Sequence, residues 1–91
     1  MKIRDDQVFT VPEDVLFQEV GGETVLLDLA SEQYFGLDEV GTRIWGLLNE
    51  GQGVGAIVDA LLAEYAVERG QLEDDVRELL TALLDAGLIE A

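Results

Sequence analysis

The sequence contains no cysteine and no histidine. The first absence rules out disulfides and thiolate metal sites. The second removes the commonest general base, the usual imidazole metal ligand and every Ser-His or Cys-His arrangement. Ser31 is the only serine and Lys2 the only lysine. Carboxylates, a few threonines, two tyrosines and four arginines remain, and no pair of acids stands out for acid–base work. The chain is therefore expected not to be an enzyme and to use no metal and no cofactor. Long apolar runs are lacking as well. Stretches such as Val25-Leu26-Leu27 fall far short of the ~20 residues a membrane helix needs. Met1-Lys2-Ile3-Arg4-Asp5-Asp6 turns acidic at once, with no apolar stretch of a signal peptide. A cytoplasmic location and no membrane partner are the expectations that follow.

Positive charge is the other scarcity. Five basic residues face 20 acidic ones, for a formal net charge of −15. A nucleic-acid binder needs Lys and Arg to displace counterions from phosphates, so no nucleic-acid partner is expected. Such a field favours cationic or neutral partners, or serves solubility alone. What the chain does have is apolar content: 48% of its 91 residues are hydrophobic, enough for one domain with a modest core.

The pattern of those residues predicts strands first and helices after. Residues 1–13 read as an irregular lead-in punctuated by Pro12, with the domain proper spanning 14–91. Val15–Val20 and Glu23–Leu29, separated by Gly21-Gly22, read as a hairpin whose two-residue turn needs the positive φ that glycine accepts. Alternation puts Val25, Leu27 and Leu29 on one face of the second strand and Thr24, Leu26 and Asp28 on the other. Gln33–Leu37 makes a short third strand. Asp38 is a good N-cap for a helix to about Asn49, with Val40, Ile44, Leu47 and Leu48 as its apolar stripe. Gly41 and Gly46 interrupt that helix, and close backbone packing would account for them. A second helix is predicted over Val54–Tyr65 and a third over Gln71–Ala86, closed by Gly87. The third carries a stripe of Leu72, Val76, Leu79, Leu80, Leu83 and Leu84. The fold class expected is α+β and winged-helix-like: a three-stranded antiparallel sheet followed by three helices.

Three segments invite functional readings. Gly51-Gln52-Gly53-Val54-Gly55 looks like a phosphate loop but lacks the lysine and follows a helix, so a helix–helix turn is expected there. Glu73-Asp74-Asp75 cannot converge on one ion, because consecutive helical residues point about 100° apart. These acids suit the first turn of a helix, or could hold a cationic group of a peptide. Tyr34-Phe35-Gly36-Leu37 is apolar and sits at the end of a small sheet, where an edge exposes unpaired N–H and C=O groups. It reads as a core strand with inward aromatics and as a docking edge for an added peptide strand; alternate residues can serve both.

The run from Tyr34-Phe35-Gly36-Leu37-Asp38 through Gly41-Thr42-Arg43-Ile44-Trp45 resembles the signature of PqqD-like proteins. There an aromatic, a Leu-Asn step and a Gly-x-x-Ile-Trp helix recur. Ile57 to Leu62, Glu64-Tyr65, Asp75-Val76, Leu79-Leu80, Leu83 and Gly87-Leu88-Ile89 agree with it. The resemblance covers roughly residues 14–90, with Asp38 where the family often has Asn; both residues cap helices.

The resemblance implies a recognition element for ribosomally made, modified peptides, which binds the leader of a precursor as a strand beside the third strand and against the third helix. Carried onto this chain, the strand is Gln33, Tyr34, Phe35, Gly36 and Leu37, and the helix face includes Leu72, Asp75, Val76 and Leu79. Val25, Leu27, Val76 and Leu79 would form apolar pockets, and Asp75 would take a polar or cationic side chain. Among such proteins, a short acidic free-standing chain is most similar to the leader-binding protein of lasso peptide biosynthesis. The partners implied there are a leader peptidase resembling cysteine proteases and a lasso cyclase resembling asparagine synthetase. The alternative is a chaperone presenting a precursor to a radical SAM enzyme. A reading of another class, a winged-helix transcription regulator, meets only Arg77 among Glu73, Asp74, Asp75, Glu78 and Asp85 on the third helix.

Overall fold

A computed structural model describes residues 3–91. Strands β1 (Val15–Val20), β2 (Glu23–Asp28) and β3 (Gln33–Leu37) precede helices α1 (Glu39–Asn49), α2 (Val54–Glu64) and α3 (Arg69–Asp85). The sheet is antiparallel in the order β1-β2-β3. The expected α+β, winged-helix-like arrangement of a three-stranded sheet followed by three helices is the one found.

Local chemistry explains the register. Val20 pairs with Glu23 across Gly21 and Gly22, whose φ values of 61° and 85° are those a tight two-residue hairpin turn requires. The β2–β3 turn is organised by Asp28. Its carboxylate accepts from the Ala30 N–H (3.1 Å) and the Ser31 hydroxyl (2.9 Å), and its carbonyl accepts from the Glu32 N–H (2.7 Å). This turn sets Asp28 against Gln33, and β3 follows in phase.

Alternation then decides what each face does. Val15 on β1, Thr24 and Leu26 on β2 and Leu37 on β3 point inward and are buried; Leu26 is wholly so. Against them pack Ile44, Trp45 and Leu48 of α1, Ile57, Val58 and Leu61 of α2, and Val76, Leu80 and Leu83 of α3. The one polar side chain in this layer, Thr24, donates to the Thr42 hydroxyl on α1 at 2.8 Å, which satisfies a group that would otherwise be costly to bury. Asp38 caps α1 as expected, accepting from the Gly41 N–H at 2.8 Å. A bidentate pair from Arg43 to Glu64 ties α1 to α2 at 2.9–3.1 Å. Its hydrogen bonds raise the Arg43 pKa above its ordinary value, so the guanidinium keeps its charge across ordinary pH.

The lead-in contributes more to packing than its composition suggests. Its described residues form no strand or helix, yet Ile3 and Phe9 lie in the core. Thr10 and Glu90 exchange backbone hydrogen bonds (2.9 and 2.8 Å), fastening the start of the chain to its apolar tail. The expectations for Met1 and Lys2 lie outside the described residues. The lead-in also meets the glycine run at the start of α2. The Gly55 and Val54 N–H groups donate to the carbonyls of Asp5 (2.8 Å) and Gln7 (3.2 Å), and a Cβ on Gly53 or Gly55 would stand 3.4 Å from a lead-in carbonyl oxygen. The N-terminus of α2 is thus capped by backbone of the lead-in.

Two expectations change. α3 begins at Arg69, two residues earlier than its periodicity suggests, so Glu73-Asp74-Asp75 occupy its second turn and not its first. Glu73 instead accepts from Arg69 one turn earlier, at 2.9 Å. Close packing explains only one of the α1 glycines: a Cβ on Gly41 would meet Leu37, whereas Gly46 faces open space.

Candidate functional site

β2 takes up the hydrogen bonds on one side of β3, and its other side is a free edge. Next to that edge runs α3, with Ala86 and Leu88 beside Gln33 and Phe35 at one end, and Asp75 and Leu79 beside Gly36 and Leu37 at the other. A groove follows this line. Its main hollow, of about 490 Å³, is walled by Gly36, Leu37, Asp38, Val40, Gly41 and Ile44 on one side and by Asp75 and Leu79 on the other. It continues over Asp75, Glu78, Leu79 and Ala82 in a shallower hollow of about 330 Å³. Beyond Val40 it ends in a smaller one of about 120 Å³ lined by Tyr65, Val67, Gln71 and Leu72, again with Asp75.

The groove exists because α3 is packed by one face only. Val76, Leu80 and Leu83 enter the core, while Leu79, Ala82 and Leu84 remain half-buried. Leu72, Asp75, Leu79, Ala82 and Ala86 recur at intervals of three and four, so they form a second stripe beside the core stripe. Small residues at positions 82 and 86 keep that stripe low. On the strand side Gly36 has nothing within 4 Å of where a Cβ would stand, so the outer face it shares with Tyr34 is open at that point.

The lip of the groove is acidic. Asp38 is engaged as the α1 cap, and Asp75 accepts from Gln71 at 2.9 Å. The described ion pairs join Arg4 to Asp6, Arg43 to Glu64, Arg69 to Asp59 and Glu73, and Arg77 to Asp5. None of them neutralises Asp75 or Glu78. Among the described residues no cluster of carboxylates is placed to hold a metal ion. No described helix is long and apolar enough to cross a membrane.

Of the residues singled out from the sequence, Gln33, Tyr34, Phe35, Gly36, Leu37, Leu72, Asp75 and Leu79 all border this line of hollows. Tyr34 belongs to the free-edge strand, but its side chain is 73% exposed and shares the outer face with Leu27. Three assignments need correction. Val25 and Leu27 cannot form pockets with α3, because they lie on the sheet face opposite Leu26, away from all three helices. Val76 is wholly buried among core side chains and presents nothing to the groove. Conversely, Val40, Gly41, Ile44, Tyr65, Val67, Gln71, Glu78 and Ala82 line it without having been singled out. The small-residue stripe of α3 was the available signal for Ala82; the α1 and loop residues carry none, because packing alone brings them there.

Comparison with known proteins accords with this geometry. Residues 23–89 match the family described as coenzyme PQQ synthesis protein D. The PqqA binding protein of one Rhodopseudomonas palustris strain is 36% identical over 61 residues, and that of a second strain 34%. The match takes in 67% of this chain and 60% of those relatives, so the chain spans less than two thirds of their length. Among solved structures, TbiB1 in complex with the TbiA(beta) leader peptide superposes with a TM-score of 0.85 at 46% identity, over 89% of this chain and 94% of that one. A lasso peptide synthetase B1 complexed with its leader peptide gives 0.86 at 27% identity, over 93% and 100%. With the matched family spanning β2 to the C-terminal tail, and the free β3 edge and α3 groove falling inside that span, the chain belongs to the PqqD family.

Proposed function

We propose that this chain binds the leader segment of a ribosomally made precursor peptide and takes no catalytic part itself. The observation that carries the reading is the free edge of β3 set alongside the α3 stripe that includes the half-buried Leu79 and Ala82. A leader segment added to that edge gains backbone hydrogen bonds along Gln33–Leu37. Its alternate side chains then turn into the hollows walled by Leu37, Ile44, Leu72 and Leu79. Asp75 and Glu78 at the lip suit a basic or polar leader residue.

The bound leader is handed to the enzymes that act on it, a leader peptidase and a lasso cyclase. The likeness to two leader-complexed proteins, one 46% identical and the other a lasso peptide synthetase B1, supports that pathway. A second reading, presentation of a precursor to a radical SAM enzyme, draws on the PqqA binding proteins and the family itself. The net charge of −15 argues against a DNA-binding role for the winged-helix arrangement.

Fluorescence polarisation of a labelled leader from the precursor encoded beside this chain is the test, with dissociation constants from submicromolar to micromolar expected. Absence of binding to any neighbouring precursor would sink the reading. Trp45 is a poor reporter for this purpose: it is buried edge-on against Phe17 of β1, with ring centroids 5.5 Å apart, across the sheet from the groove.

A further inference from the structure

The groove ends against a short connection. α2 stops at Glu64 and α3 starts at Arg69, so residues 65–68 join them. Tyr65 and Val67 of this loop wall the last hollow, of about 120 Å³, together with Val40, Gln71, Leu72 and Asp75. The described backbone hydrogen bonds of the loop lie at its two ends. The Tyr65 N–H donates to the Leu61 carbonyl at 2.8 Å, and the Glu68 carbonyl accepts from the Leu72 N–H at 3.0 Å. Both end residues have extended backbone, and Val67 between them is 49% exposed. A segment with so few fixed points opens locally without unfolding the rest.

Side chains supply the missing restraint, and they do so at both ends. Glu64, the residue before the loop, is gripped by Arg43 of α1, whose Nε and Nη2 donate to its carboxylate at 2.9–3.1 Å. Arg43 lies on the same helix turn as Val40 and Ile44, which line the groove. Arg69, the residue after the loop, donates from Nη1 to Asp59 of α2 and from Nε to Glu73, each at 2.9 Å. The hydrogen bonds to these carboxylates raise the pKa of both guanidiniums, so both clips stay charged. Only five basic residues stand among 20 acidic ones, and two of the five are placed here. Isolated surface pairs add little to stability, whereas forked contacts at both ends of one loop fix its path.

We propose that Arg43 and Arg69 are positioning residues for peptide recognition: their ion pairs hold residues 65–68 so that Tyr65 and Val67 close the end of the groove before the leader arrives. This role rests on the leader-binding reading. A wall already in place removes the ordering of the loop from the binding step. The gain shows as slower release of the leader, because the wall retains it once bound. Neither arginine touches the leader; each acts through the loop.

The test uses the full chain and the labelled leader of the precursor encoded beside it. Polarisation gives leader affinity and release rate for the wild type, Arg43→Gln, Arg69→Gln, Val67→Ala and the double variant of the last two. Arg4→Gln controls for the lost charge, since the Arg4 side chain pairs only with its near neighbour Asp6. Arg43→Gln and Arg69→Gln should each weaken leader binding roughly fivefold, mainly through faster release. Their thermal midpoints should stay near that of the wild type, because the pairs are exposed, while amide exchange over residues 65–68 speeds up. Val67→Ala should weaken binding by itself and have little further effect once Arg69 is replaced. Arg4→Gln should bind like the wild type. Unchanged affinity in both arginine variants would overturn the proposal. So would losses at Val67 and Arg69 that simply add, or an equal loss in Arg4→Gln. A wild type that does not bind the leader would instead sink the leader-binding reading, and the positioning role with it.

Discussion

A Cβ placed on Gly41 would lie 3.2 Å from the Cβ of Leu37 and 3.3 Å from the capping oxygen of Asp38. Leu37 ends β3 and Gly41 sits in the first turn of α1, so this approach sets the angle at which the helix leaves the strand and forms the floor of the groove.

Substitution of the two α1 glycines is therefore expected to give opposite signs. Alanine at either gains about 1 kcal/mol of helix propensity. At Gly46 nothing opposes the gain, and Gly46→Ala should raise stability by about 0.5–1 kcal/mol. At Gly41 the crowding of Leu37 and Asp38 costs about 1–3 kcal/mol, and Gly41→Ala should leave stability unchanged or lower. Urea unfolding of both variants checks the contrast; equal stabilisation would mean that the approach is looser than described.

Leu79 and Val76 lie three residues apart on α3 but face different surroundings. Leu79→Ser should weaken leader binding roughly tenfold with a stability change of about 1 kcal/mol. Val76→Ala should cost about 2 kcal/mol of stability through a core cavity and leave the leader affinity of the folded protein unchanged. Paired denaturation and polarisation measurements separate the two effects, and a Val76→Ala variant with intact stability but weak binding would move the groove wall.

Proline tests the added strand. Successive N–H groups of β3 point alternately to β2 and to the free edge. Of Tyr34→Pro and Phe35→Pro, one removes a hydrogen bond within the sheet and should lower stability by about 3 kcal/mol. The other leaves the ladder intact and should weaken leader binding tenfold or more. Two variants that both fold and both bind like the wild type would exclude strand addition at this edge.

Salt should stabilise the fold. The exposed ion pairs are individually weak, while the excess of carboxylates repels throughout the surface. The Debye length shortens from about 30 Å at 0.01 M to about 10 Å at 0.1 M. The thermal midpoint should rise by a few degrees, roughly 4–8 °C per kcal/mol for a domain of this size, as sodium chloride is raised over that range. A fall would show that the ion pairs outweigh the repulsion.

Much of the architecture was legible because it depends on short-range chemistry. The Gly21-Gly22 turn, the Asp38 cap and the positive-φ Gly87 after α3 are each dictated by a few adjacent residues. The third strand was read to its correct bounds, Gln33–Leu37. The groove was legible only in part. β3 and the residues Leu72, Asp75 and Leu79 carry a local signal, whereas Val40, Ile44, Tyr65 and Val67 reach the same hollows through the way separate elements pack.

The composition by itself determined that catalytic arrangements built on histidine or cysteine are not available, and that the charge of −15 opposes binding along a nucleic-acid backbone. Periodicity determined that Val25 and Leu27 share one face of β2 and that Thr24 and Leu26 share the other. Which of those faces is buried was decided only by the tertiary structure. Period-2 alternation is symmetric between the two faces, and both carry aliphatic residues. The Thr24–Thr42 hydroxyl pair and the Gly41–Leu37 approach seat α1 on the Leu26 side. That choice leaves Val25, Leu27 and Tyr34 outside, and opens the groove between β3 and α3 on the inner side.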